Sequence, residues 1–177
     1  MGCITSTCQK SKQDDLESSG PLHFDKSLEE GAAAPYLDKL SYSINAYVVS
    51  VYDGDTFTIA VHHHLPIGSG KVAKDQIVRV KCRVNGIDTP EMRPLKSQPN
   101  RDAEIVKAKE AKKFVEAIIL NKHVKLHVDG LDKYGRWLVR VACPDTGKDV
   151  GEMVLEQGHG YRYNGGTKQA FSEYSKI

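Results

Sequence analysis

Two short acidic turns, Asp53-Gly54-Asp55-Thr56 and Asp88-Thr89-Pro90-Glu91, hold the residues of this sequence best suited to chemistry. Aspartate carboxylates and loop carbonyls are hard oxygen donors, the kind a divalent ion such as calcium prefers. No His or Cys accompanies them, which argues against zinc or copper. The first turn is not an EF-hand loop, because Phe57 stands where that pattern needs an acid or Asn. Taken alone, each turn is better read as turn-forming residue types doing what they favour. Glu91, three residues beyond Asp88, could polarise an attacking water as a general base. Arg83 and Arg136 could each grip phosphate oxygens bidentately and oppose the charge that builds in a phosphoryl transition state. Periodicity by itself places Arg83 on a solvated strand face with Arg79 and Lys81.

The elements that must position these groups are short strands. Residues 44–51 are rich in β-formers, and 56–61 alternate apolar and polar after the Asp53-Gly54 turn signal. Residues 78–85 alternate without a fault and predict a half-buried strand. Over 102–120 the period changes: Ala108, Ala111, Val115 and Ile118 recur at helical spacing, and the helix is expected to stop near Asn121. Two more strands follow at 124–128 and 137–141, joined by a turn over 129–135. Residues 150–157 read as a short helix closed by Gly158 in the left-handed C-cap position, and 167–176 as a last helix. Five strands, with a helix between the third and fourth, are the order of a small Greek-key barrel of the OB type. The fold class expected is therefore α+β: a five-stranded OB-fold Greek-key β-barrel with about three helices over 41–177.

Residues 1–40 read differently. They hold four Lys against seven acids, so the remainder carries +5 of the net charge of +2, a mild bias toward a polyanionic partner. Residues 7–35 show no apolar periodicity and predict a weakly ordered tail or linker. No run approaches the roughly 18–20 apolar residues of a membrane-spanning helix, and none near the N-terminus suits a secretory signal. The opening Met1-Gly2-Cys3-Ile4-Thr5-Ser6 fits the pattern for myristoylation of Gly2. One acyl chain holds a protein only weakly, and Cys3 or Cys8 could take a second as palmitate. In a eukaryotic cell this start, similar to that of dually acylated signalling proteins, places the chain on the cytoplasmic face of a membrane, the plasma membrane first. Cys82 and Cys143 read as buried thiols. The adjacent histidines His62, His63 and His64 point to alternate faces of a strand, so they do not converge on one metal. Gly68-Ser69-Gly70-Lys71 lacks the first glycine and trailing Ser/Thr of a phosphate loop.

What distinguishes the chemistry-bearing residues is their combination and order. The series Asp53-Gly54-Asp55-Thr56, Arg83, Asp88-Thr89-Pro90-Glu91, Asp132-Lys133-Tyr134-Gly135-Arg136, Gln157-Gly158 and Tyr161-x-Tyr163 closely resembles the staphylococcal (micrococcal) nuclease family, over residues 44–165. The resemblance implies an OB barrel that hydrolyses DNA and RNA with calcium as cofactor, leaving 5′-hydroxyl and 3′-phosphate ends. It also implies that Asp55 and Asp88 are carboxylate ligands, with the Thr89 carbonyl as a third. By the same resemblance Glu91 activates water, and Arg83 and Arg136 bind phosphate. Lys133, Tyr134, Tyr161 and Tyr163 become substrate contacts, and Asp53 an acid behind the ligands. Bases stacked on tyrosine suit a nuclease with little sequence preference, and a monomer is expected. Two departures stand out: the segment between Gly158 and Tyr161 is shorter than in the bacterial archetype, and the loop over 62–75 is longer. The alternatives are a non-catalytic nucleic-acid-binding module, or a membrane-tethered adaptor.

Overall fold

A computed structural model describes residues 41–63 and 76–171 of the chain. The acylation motif at Gly2, Cys3 and Cys8, the tail as a whole, and the Gly68–Lys71 loop lie outside the described residues. The elements run β1 (Tyr42–Val51), β2 (Thr56–His63), β3 (Gln76–Val84), β4 (Ile87–Asp88), α1 (Arg101–Ile119), β5 (His123–Leu131), β6 (Trp137–Ala142), α2 (Val150–Glu156) and β7 (Tyr161–Arg162).

Strands β1, β2, β3, β6 and β5 close into a barrel in that spatial order, and β4 pairs with β7 in a separate two-stranded sheet. Hairpin partners such as Val48↔Ile59 and Phe57↔Cys82 are antiparallel. The β3–β6 contact, Cys82↔Trp137 to Val84↔Val139, is parallel, as a Greek-key crossover requires. This is the expected α+β OB-type barrel, with α1 between the third and fourth barrel strands.

Alternation fills the interior. Phe57, Ile59 and Val61 from β2, Cys82 and Val84 from β3, Val124, Leu126 and Val128 from β5, and Val139 and Val141 from β6 are all buried. Cys143 is buried as well. Helix α1 lays Ala108, Ala111, Val115, Ile118 and Ile119 against this core, the face its periodicity marks. It ends where expected, with Asn121 in the left-handed region at φ 58°. Gly158, at φ 67°, likewise follows α2.

The structure departs from the sequence reading in three places. Strand β5 continues through Asp129 to Leu131, so the expected turn over 129–135 shrinks to its last residues; a register shift near Gly130 lets the strand bend and go on pairing. The β4–β7 pair was not anticipated, because two-residue strands carry no periodic signal. The helix expected over 167–176 is irregular chain at 167–170; Phe171 is helical, and 172–177 lie outside the described residues.

Candidate active site

The two acidic turns meet because glycines stand where they touch. Asp53 accepts hydrogen bonds through Oδ1 from the backbone N–H groups of Asp55 (3.1 Å) and Thr56 (2.7 Å), the side-chain turn that Asp favours. Gly54 then packs directly on the second turn. A Cβ at this position would lie 2.8 Å from Thr89 Cγ2 and 2.9 Å from Ala111 Cβ. On the other flank, a Cβ on Gly160 would lie 2.6 Å from the Asp88 carbonyl. Only glycine allows both approaches.

Between the turns stands Arg83, from the end of β3. Its Nη1 is 2.8 Å from Asp55 Oδ2, and its Nη2 donates to Asp88 Oδ1 (2.6 Å) and to the Ile87 carbonyl (3.1 Å). Asp88 Oδ2 accepts from the Tyr161 hydroxyl at 2.8 Å. Asp55 and Asp88 are 1% and 3% exposed. Burial, with Asp53 and Asp88 as neighbouring acids, pushes the Asp55 carboxyl up to about 8, against the opposing pull of Arg83. Burial likewise raises Asp53. The close approach of Arg83 Nη1 to Asp55 Oδ2 does not amount to a hydrogen bond: no donor hydrogen is aimed at that buried oxygen. Asp55 Oδ2 therefore has a charge partner and an unused lone pair.

These features fit a hard divalent cation. The donors are oxygens, one of them is orphaned, and Asp53, Asp55, Asp88 and Glu91 formally outnumber Arg83 and Lys168 by two charges. Among the described residues no three His, Cys, Asp or Glu side chains gather as a metal cage does. The ion that suits this pair is one content with two carboxylates, a carbonyl such as that of Thr89, and water. Thr89 is itself buried.

The site opens into a cleft of ≈ 1370 Å³ lined by Asp53, Asp55, Arg83, Glu91, Arg136 and Tyr163, with Lys133 and Tyr134 on its rim. Arg136 reaches it from the β5–β6 turn. Asp132 builds that turn: its Oδ1 accepts from the backbone of Tyr134 (2.8 Å) and Arg136 (2.9 Å), and its Oδ2 from Arg136 Nε (2.6 Å). The Thr56 hydroxyl joins the two halves, donating to Asp55 Oδ1 (2.9 Å) and accepting from Arg136 Nη1 (3.3 Å). Tyr134 is 73% exposed, with Lys133 and Arg136 5.0 and 5.6 Å from its ring.

Glu91 projects from the second turn with its carboxylate 2.5 Å from Lys168 Nζ. Its backbone N–H donates to Oε1 of the buried Glu104 at 3.0 Å. Tyr163 lies beneath Arg83, 5.9 Å from the guanidinium carbon. Tyr161 is placed otherwise than a stacking platform: it is 9% exposed and spends its hydroxyl on Asp88.

The structure thus brings Asp53, Asp55, Arg83, Asp88, Thr89, Glu91 and Arg136 to one locus, with Lys133, Tyr134 and Tyr163 around it. Sequence reasoning missed Lys168, Glu104 and the bridging role of Thr56. Asp132 carried a usable signal, an Asp opening a turn that closes on a glycine three residues later. Glu104 carried a weaker one, an acid on the apolar stripe of α1.

No curated protein matches the chain. Residues 81–177 match the family described as staphylococcal nuclease homologue. The match takes in Arg83, Asp88, Glu91 and Arg136; Asp53 and Asp55 precede it, on strands that complete the same barrel. Proteins of this family act on nucleic acids, generally by hydrolysing phosphodiester bonds. Since the match spans more than half of the sequence and begins within a barrel strand, the chain belongs to the staphylococcal nuclease family.

Proposed function

We propose that this chain is a calcium-dependent nuclease that cleaves DNA and RNA with low sequence specificity, acting as a monomer and leaving 5′-hydroxyl and 3′-phosphate ends. The observation that supports it most is the single guanidinium of Arg83 spanning Asp55 and Asp88 at the floor of a cleft that Glu91 and Arg136 line. Asp55, Asp88 and the Thr89 carbonyl would hold the ion, which supplies charge to polarise a phosphoryl oxygen. Glu91 orients a water for in-line attack and takes its proton. Arg83 spends two of its five N–H donors in hydrogen bonds, both from Nη2, so it retains donors for the phosphate, and Arg136 lines the same cleft. Lys133 offsets backbone charge, while Tyr134 and Tyr163 offer ring faces to bases.

A calcium-titrated digestion of single- and double-stranded DNA and RNA tests this. Calcium-dependent cleavage is expected, and Glu91→Ala should lower the rate by about 10²-fold or more. Calcium-independent cleavage, or full activity in Glu91→Ala, would refute the mechanism. Binding without turnover under saturating calcium would point to a non-catalytic module instead.

The N-terminal motif supports a second element of the proposal, for a eukaryotic host: Gly2 carries myristate and Cys3 or Cys8 palmitate, holding the nuclease at the cytoplasmic face of the plasma membrane. Mass spectrometry of the N-terminal peptide should find the acyl groups. A Gly2→Ala variant that stays on the membrane would sink this part alone.

A further inference from the structure

Lys168 belongs to no motif by which the site was recognised, yet it touches two of the site's acids. It follows β7 in the segment Gly165-Gly166-Thr167-Lys168-Gln169. Both glycines take left-handed backbone, at φ 94° and 91°, and the Tyr163 hydroxyl donates to the Gly166 carbonyl at 2.7 Å. The Gln169 N–H donates to the Tyr161 hydroxyl at 3.0 Å, on the far side of the bond that Tyr161 makes to Asp88. The segment is thereby turned back against the site. It delivers Lys168 Nζ to 3.0 Å from Asp88 Oδ1 and 2.5 Å from Glu91 Oε1.

Two carboxylates this close repel, and the Glu91 side chain is about half exposed, free to sample other rotamers unless something holds it. Glu104 holds only its backbone. An ammonium with three donors can bridge both acids at once. We propose that Lys168 is a positioning residue of this site: it ties the Glu91 carboxylate to Asp88, and it shares the charge of Asp88 with any divalent ion bound there. Asp88 Oδ1 already faces Arg83, so Lys168 is the second protein cation on the same oxygen. Removing its charge strengthens the pull of Asp88 on an ion and at the same time releases Glu91. The two effects have opposite signs for function, whereas a variant that merely misfolds loses ion binding and turnover together.

The turnover arm of this inference rests on the nuclease reading; the ion-binding arm does not. In the full chain, Lys168→Met should bind calcium roughly three- to ten-fold more tightly by calorimetric titration. Its kcat should fall about ten-fold with KM for the nucleic acid unchanged, and Lys168→Arg should recover part of the loss. In a Glu91→Gln background, adding Lys168→Met should slow turnover no further, because the carboxylate charge that Lys168 holds is already gone. Calcium binding that is unchanged or weaker in Lys168→Met would overturn the proposal. So would parental turnover in that variant, or an additional loss in the Glu91→Gln background. If the parent binds calcium but cleaves nothing, the nuclease reading falls while the titration still decides Lys168. If the parent binds no calcium, thermal melts of the Lys168→Met and Glu91→Gln single and double variants in chelator decide it: non-additive shifts uphold the tie, additive shifts remove it.

Discussion

At Arg83 one side chain balances two buried acids, and that sets what its loss should do. With both partners at most 5% exposed, removing the guanidinium strands two carboxylates in a low-dielectric pocket. Arg83→Ala should therefore lose about 3–5 kcal/mol of stability in chelator, as well as activity. Arg136 is partnered differently: it pairs with a single aspartate, and the two side chains are 24% and 12% exposed, less deeply buried than the acids that Arg83 spans. Arg136→Ala should cost less, about 1–3 kcal/mol, while its activity falls as steeply. Urea melts of the two variants, set beside their rates, check this. Equal losses of stability would mean that the buried bridge is not carried by Arg83. Residue identity alone cannot rank the two arginines, because what ranks them is the burial of their partners.

The elements meet at contacts with no slack. Gly54, Thr89 and Ala111 bring the first acidic turn, the second and α1 into direct contact. Gly54→Ala should force them apart, with a loss of about 1–3 kcal/mol from overpacking and weaker calcium binding as Asp55 moves from Asp88. Thermal melts and calorimetry read the two effects, and a variant with parental melting and affinity would show that the turns can yield. Glu104 does a related service from the first turn of α1. Its oxygens accept from the Glu91 N–H at 3.0 Å and from Gln98 Nε2 at 2.6 Å, so a buried carboxylate knits the 91–100 loop to the helix. Glu104→Ala leaves those donors unpaired, at about 1–3 kcal/mol. Turnover should fall although Glu104 is no part of the chemistry, and a rate equal to the parent's would remove it from the support of Glu91.

Across the whole molecule, acid should act first through two ion pairs carried by β5, β6 and the turn between them. Hydrogen bonds from Arg140 hold the Asp129 carboxyl below the ordinary aspartate range, with Asn85 assisting. Asp132 is partly buried, which raises its carboxyl, but the backbone and guanidinium of Arg136 outweigh this and lower it. A depressed folded-state value means stability that is present above the unfolded value, about pH 4, and lost as pH falls through the folded one. Asp129→Asn should lower the plateau at neutral pH and so flatten that acid limb, converging with the parent in strong acid, as urea midpoints from neutrality down to strong acid would reveal. An unaltered acid limb would show that the Arg140 pair contributes nothing.

The barrel was legible in the sequence because its strands alternate and α1 repeats at helical spacing: burying one face of each is the only way such patterns leave water. The candidate chemistry was legible in the order of Asp55, Arg83, Asp88, Glu91 and Arg136, which no single turn reveals. Proximity was not. That Arg83 spans both aspartates, that Tyr161 serves Asp88 rather than presenting a ring face, and that Thr56 joins Asp55 to Arg136 follow from strands far apart in the chain closing on one another. Lys168 and Glu104 were hidden for the same reason. A lysine after two glycines, or an acid on a helix, has no local signal until the fold sets a carboxylate within 3.0 Å of one and a backbone N–H against the other. Local periodicity determines which faces are buried; only closure of the barrel decides which charges meet.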